Sequence, residues 1–255
     1  MAIPLYYWKA RPNFGDAISP FILSCLSGFE MRAVDADEKK PKLIGIGSVL
    51  WAAKNGDVLF GTGAHPTSGW KGRDRPKNIE AVCVRGPWTE RKCKRLGIDC
   101  GERYLEPALL LPRFYRPESA RGGVTFVPHF NDEAGWIAAA EIGPSVTPVN
   151  VGHPWRKVVD QIAASELVVS SSLHGIIVAE AYGVPAVWVA CSEGAEKFED
   201  YFAGTGRFAK PIRSWLRWDE TEPVALPDPP KRDYSRRLKD AVKRLRGRRG
   251  NKKRR

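Results

Sequence analysis

The chain has 255 residues, 43% of them hydrophobic, and a formal net charge of +12; that length buries a substantial core as one large domain or two small ones. From Lys231 to Arg255 there are 14 Lys and Arg against two Asp, so the first 230 residues are formally neutral and the tail carries the excess. Five cysteines at 25, 83, 93, 100 and 191 form no CxxC pair, and no apolar run approaches the roughly 20 residues that span a bilayer, which argues against a disulfide scaffold, a zinc ribbon or an integral membrane protein.

In chain order, Ile3 to Lys9 reads as a strand entered directly rather than as a signal peptide. NFGD at 13 to 16 reads as the following turn, and Ala17 to Leu26 as a helix for which Asp16 is the cap. Asn13 and Asp16 then face a cleft. Lys42 to Ile46 is a second strand ending in Gly45 and Gly47, where bare backbone admits a close helix or ligand. Asp57 to Phe60 is a third, and beyond it His65 opens the loop HPTSGWKGRDRP, long enough to act as a lid. Ile79 to Val84 is a fourth strand, with Arg85 at its end and Pro87 in the first turn of a helix to Leu96. For Arg85 the residues alone leave two readings, an ion pair with a nearby acidic residue or a ligand contact.

Pro112 to Gly123, PRFYRPESARGG, replaces the apolar pattern with proline, glycine and charge and reads as a seam. Past it the arrangement repeats: a strand from Gly123 to Val127, a helix from Asp132 to Glu141, a strand from Val146 to Val151 and a helix from Pro154 to Ala164. His129 lies at a strand end and points at the cleft, as a core or a catalytic histidine. His153 precedes Pro154 and reads as a cap. The most informative stretch is VVSSSLHGIIVAEAYGVPAVWV at 168 to 189: a buried strand ending at Ser170, Ser171 and Ser172 as capping residues, a helix from Gly175 to Tyr182 stopped by Gly183 and Pro185, and a strand from Ala186 to Ala190. His174 sits where that strand meets that helix. The helix start offers unpaired N–H groups to an anion.

The expected fold is therefore α/β in two halves, residues 1–115 and 121–212, with an extension over 213–255. In the extension Tyr234, Leu238, Ala241, Val242 and Leu245 recur at helical spacing, so Asp233 to Arg246 forms an amphipathic helix with a basic face, and RGRRGNKKRR stays disordered. Three readings of this tail stand open: an apolar stripe packed on the body, attraction to an anionic membrane surface, and nucleic-acid binding, the weakest because no DNA- or RNA-reading motif accompanies it. No His, Cys, Asp and Glu cluster has metal-ligand spacing, so no metal or cofactor is expected.

SSSLHGIIVAEAYGVPA, taken with NFGD, GIGS at 45 to 48, FGTG at 60 to 63, VRGPWTE at 84 to 90 and PALLLP at 107 to 112, resembles the polysaccharide pyruvyl transferase family over roughly the first 205 residues. The resemblance implies two Rossmann-like halves facing a cleft, as in the GT-B glycosyltransferase fold. It also implies transfer of a pyruvyl group from phosphoenolpyruvate to a glycan or lipid-linked sugar acceptor as a ketal, in the cytoplasm or peripherally at the inner membrane face. On that basis Arg85 contacts the donor, and His174 does acid/base work or touches the donor phosphate. Ser171, Ser172, Leu173 and Gly175 line the anion site. Lys197, Asp200 and Tyr201 resemble a family segment near the active site, with Lys197 as a phosphate contact or ordinary helix surface. Glu106 departs from the family's usual aspartate. A nucleotide-sugar glycosyltransferase is the runner-up, and a noncatalytic glycan- or membrane-binding protein the third reading.

Overall fold

The computed structural model describes residues 2–65, 75–117, 122–191 and 194–250. Among these residues two all-parallel sheets, each flanked by helices, make up a mixed α/β structure of two Rossmann-like halves. The first sheet holds β1 (Ile3–Tyr6), β2 (Met31–Ala33), β3 (Leu43–Ile44), β4 (Val58–Thr62) and β5 (Glu80–Val84) in the order β2-β1-β3-β4-β5. β1 and β4 are buried along their whole length, as strands covered on both faces must be. The sequence reading missed β2. Its three residues, MRA, are half-buried or exposed at the sheet edge and carry no apolar period.

Between β1 and β2 lie two helices where one was expected, α1 (Phe14–Ala17) and α2 (Ser19–Ser27). Asn13 is the cap, its side chain accepting from Gly15 N at 3.1 Å, so the expected capping role of Asp16 is corrected. Asp16 instead falls inside the helical turn and is 6% exposed. Helix α3 (Pro87–Arg95) follows β5 with Pro87 in its first turn. A 3-10 helix, Pro107–Arg113, then carries the chain to the second half; residues 118–121 of the expected seam, like 66–74 of the expected lid loop, lie outside the described residues.

The second sheet holds β6 (Val124–Val127), β7 (Val146–Pro148), β8 (Leu167–Ser170) and β9 (Ala186–Trp188) in the order β7-β6-β8-β9. Helices α4 (Glu133–Ile142), α5 (Trp155–Ala163), α6 (Leu173–Ala181) and α7 (Glu196–Gly204) complete it. Asp132 caps α4 by accepting from Gly135 N. His153 does not cap α5: Pro154 takes that position without a side-chain bond, and His153 is exposed. Helix α6 starts two residues before the expected Gly175. Ser170 Oγ accepts from Ser172 N at 3.0 Å, ending the strand in a tight serine turn, so Leu173 and His174 are already helical. Ser172 occupies the cap position, but its side chain makes no capping bond.

Both sheets reverse strand order beside their first strand: β1 lies between β2 and β3, and β6 between β7 and β8. Each half thus has a switch point at its carboxyl edge, where α/β sheets open a crevice. One central core joins the halves, with Phe14, Ile18 and Ile22 of the first and Ile176, Ile177 and Phe198 of the second in the same buried cluster.

The chain ends in helix α8 (Ser235–Gly250), which follows the second half but packs on α2, β4 and β5 of the first. Leu238, Ala241, Val242 and Leu245 are fully buried there. The helix also continues past Arg246, where disorder was expected. Arg246 lies over the Phe29 ring at 5.0 Å and Arg248 donates to Gly56 O at 3.3 Å, so contacts with the body extend along its last turns. Residues 251–255 lie outside the described residues. No described helix is long and apolar enough to cross a membrane.

Candidate active site between the two sheets

The carboxyl edges of both sheets open into one cavity of about 570 Å³. The chain after β1 contributes Trp8, Arg11, Asn13 and Asp16, the turn after β3 Gly47 and Ser48, and the end of β5 Arg85. From the second half come His129, Phe130 and Asn131 after β6, Ser172, Leu173 and His174 after β8, and Lys197 of α7. Of the sequence candidates, the structure therefore brings together Asn13, Asp16, His65, Arg85, His129, Ser172, Leu173, His174 and Lys197. Ser171 and Gly175 lie behind the wall. Ser171 is fully buried, accepting from His129 N at 2.9 Å and donating to Asp132 at 2.5 Å, so its hydroxyl is committed to the scaffold. A methyl group on Gly175 would overlap Ser170 Oγ, so this glycine serves close packing of helix on strand.

His174 carries an unsatisfied nitrogen. It is 8% exposed, and its Nε2 has no hydrogen-bond partner. Burial, with the Arg85 and Lys197 charges adding to it, pushes its pKa down to about 3, so the imidazole is neutral at ordinary pH. The ring lies against α1: a methyl on Gly15 would overlap it, which gives the glycine of NFGD a steric reason. On the same helix, burial raises the Asp16 carboxyl to about 7, with Lys197 pulling the other way. Gly47 is left-handed at φ +105°, and any side chain there would meet Asp16 Oδ1.

Arg85 is held from three sides. Its Nε donates to Asp200 Oδ2 at 3.0 Å, one terminal nitrogen to Ser48 Oγ at 3.0 Å and the other to Ala64 O at 3.3 Å. A guanidinium has five N–H donors, so two remain for a ligand in the cavity it lines. The ion pair expected as one reading of this residue is present, and the same side chain also lines the cleft. A side chain on Gly63 would overlap the guanidinium. Asp200, which lies outside the cavity lining, also accepts from Trp88 N, Thr89 N and Thr89 Oγ1, and so caps α3 from the opposite half. Glu106 is a structural cap as well, accepting from Ala108 N with its carboxyl raised by burial to about 8.

Sequence reasoning missed the aromatic wall of Trp8, Trp51 and Phe130, together with Ser48. Trp8 and Phe130 follow strand ends, a signal that was available; Trp51 lies in a 3-10 turn, Leu50–Ala52, that no period announces. His153 is not among the residues lining the cavity, and Tyr201 is fully buried with its hydroxyl on Glu180. Among the described residues no group of three or more His, Cys, Asp or Glu is placed to hold a metal.

Residues 5–193 match the model of the family described as Polysaccharide pyruvyl transferase. The chain is similar to the Succinoglycan biosynthesis protein ExoV of Rhizobium meliloti (strain 1021), 30% identical over 210 residues that cover 76% of this chain and 61% of that protein. It is also similar to the Uncharacterized protein L143 of Acanthamoeba polyphaga mimivirus, 26% identical over 196 residues, 73% of this chain and 67% of that one. The chain thus spans less than two thirds of ExoV. Lys197, Asp200 and α8 lie beyond the family match.

Proposed function

We propose that this chain, which belongs to the polysaccharide pyruvyl transferase family, moves the pyruvyl group of phosphoenolpyruvate onto a sugar of a polysaccharide or of its lipid-linked precursor, closing a pyruvate ketal. The observation that carries the reading is the convergence of Arg85, Lys197 and the unpartnered His174 Nε2 on one cavity at the start of α6. The donor is a small trianion. Its carboxylate and phosphate suit the two remaining guanidinium N–H groups, the Lys197 ammonium and the first-turn N–H groups of α6.

The same charges explain how a neutral histidine becomes an acid. Burial, with the Arg85 and Lys197 charges adding to it, holds the imidazole uncharged, and an arriving trianion offsets the two charges and so raises its proton affinity. The protonated His174 then delivers a proton to C3 of the enol as a sugar hydroxyl adds to C2, phosphate departs, and a second hydroxyl closes the ketal. Trp8, Trp51 and Phe130 give the acceptor sugar apolar faces to lie on. An acceptor linked to a lipid carrier, and an anionic membrane surface as partner, fit the basic face of α8. Because its apolar stripe is spent on the body, such attraction would be through charge alone.

Thermal unfolding with phosphoenolpyruvate against a panel of nucleotide sugars tests the assignment. A ligand at 100 times its dissociation constant stabilises by about 2.7 kcal/mol. Stabilisation by phosphoenolpyruvate supports pyruvyl transfer. Stabilisation by a nucleotide sugar alone replaces it with glycosyl transfer on a GT-B-like scaffold.

A further inference from the structure

We propose that Asp16 is the second catalytic acid–base group of this site, working from the first half alongside His174 of the second and taking the proton of the attacking sugar hydroxyl; this rests on the pyruvyl-transfer reading above. Asp16 is 6% exposed and lines the cavity. Its carboxyl has no hydrogen bond or salt bridge among the described residues, whereas the other buried acids of the region are committed: Asp200 to Arg85 and α3, Glu106 to Ala108 N, Asp132 to Ser171 and Trp215. Burying a carboxyl without a partner is costly, and a group left so at the floor of a cavity is suited to a ligand that supplies the missing bond. His174 Nε2 is a buried nitrogen without a hydrogen-bond partner that lines the same cavity. Two glycines keep both groups in place, Gly47 beneath the Asp16 carboxyl and Gly15 beneath the His174 ring.

The surroundings favour a group that changes charge during the reaction. Tyr6 of β1, Arg85 after β5, Glu106, His174 of α6 and Lys197 of α7 stand around Asp16, and burial holds its carboxyl near neutrality rather than in the ordinary carboxylate range. The proton cycle closes with these two residues. His174 gives a proton to C3 as the first hydroxyl oxygen bonds to C2, and that hydroxyl's proton goes to the Asp16 carboxylate. The C2–O bond to phosphate then breaks, with Asp16 returning its proton to the departing phosphate. The second hydroxyl bonds to C2 and gives its proton to His174. Both residues end as they began: one hydroxyl proton has gone to C3 and the other to hydrogen phosphate.

The test compares wild type, Asp16→Asn and Asp16→Glu in two assays. The first is phosphoenolpyruvate affinity at pH 6 and pH 8. The second is incorporation of label from [14C]phosphoenolpyruvate into glycan from cells disrupted in the gene. An ionised Asp16 disfavours the donor but must persist beside it to act as base, so wild-type affinity should fall only about two- to threefold more steeply between those pH values than that of Asp16→Asn, with Asp16 still largely ionised in the donor complex at pH 8. Asp16→Asn should bind donor at pH 8 at least as tightly as wild type, which also shows that it folds, yet label about 100-fold or more slowly, with partial recovery in Asp16→Glu. Labelling by Asp16→Asn within tenfold of wild type, or an unchanged pH dependence of donor affinity, would overturn the proposal while leaving pyruvyl transfer standing. Failure of wild type itself to bind and transfer the donor would overturn the functional reading, and this one with it.

Discussion

Arg85 at the end of β5 and Asp200 on α7 form a 3.0 Å ion pair in which both side chains are 2% exposed, and this pair couples a cavity-lining guanidinium to the contact between the two halves. Helix α3 starts on the same carboxylate, and the approach is so close that a side chain on Gly86 would overlap the Asp200 backbone. Asp200→Ala leaves a buried guanidinium unpaired and uncaps α3, and should cost about 3 to 5 kcal/mol in denaturant unfolding. Asp200→Asn keeps an acceptor for the α3 N–H groups and should cost less, while weakening phosphoenolpyruvate binding through a misplaced Arg85.

The two unpaired groups act on stability with opposite signs. His174 has its pKa depressed to about 3, so between that value and about 6.5 the unfolded chain binds more protons and stability falls as pH falls. Asp16 has its pKa raised to about 7, so between about 4 and 7 the native state binds more protons and stability falls as pH rises. His174→Gln should therefore flatten the loss of stability on acidification below pH 6. Asp16→Asn should raise the unfolding midpoint at pH 8 and change it little at pH 4. Unfolding midpoints across pH 4 to 8 check both.

Gly15→Ala places a methyl where the His174 ring lies. Overpacking of this kind costs about 1 to 3 kcal/mol, so the protein should still fold. Displacement of the imidazole should remove most of the thermal stabilisation by phosphoenolpyruvate. Gly28→Ala, at a left-handed helix end with open space around it, should lower the midpoint without touching donor stabilisation.

Helix α8 is part of the body through its fully buried Leu238, Ala241, Val242 and Leu245. Leu238→Ala or Leu245→Ala should cost about 2 to 5 kcal/mol, as for other buried leucines. If the basic face draws the protein to anionic vesicles, that binding should vanish in high salt and leave tryptophan fluorescence unshifted, because the apolar stripe is not free to insert. Vesicle binding that persists in high salt would mean that α8 undocks.

What could be read from the residues followed the strength of local signals. Pro87, the apolar runs of β4, β5 and β8, and Gly183 with Pro185 announce their elements by chemistry that tertiary context does not override. The edge strand β2 had no such signal. The start of α6 was placed late because Ser171 and Ser172 look like caps, whereas the turn is made by Ser170 Oγ. Asp16 was placed in the cleft from its position after a strand, but as a cap; that its carboxyl is left without a partner depends on Gly47 folding beneath it, 31 residues on in the sequence. Ser171 shows the converse, since a buried partner in Asp132 removes it from the cavity. The Arg85 to Asp200 pair joins residues more than a hundred apart, and no local pattern foretells which acid meets which base.

The central claim is transfer of the pyruvyl group itself. The most direct measurement incubates the protein with [14C]phosphoenolpyruvate and glycan from cells disrupted in this gene, then follows the label through mild acid. Pyruvyl transfer requires label in the glycan, release of one inorganic phosphate per label bound, recovery of that label as pyruvate after acid hydrolysis of the ketal, and loss of incorporation in His174→Gln. Absence of label from phosphoenolpyruvate, with transfer of a sugar from a nucleotide sugar to the same glycan, would contradict it.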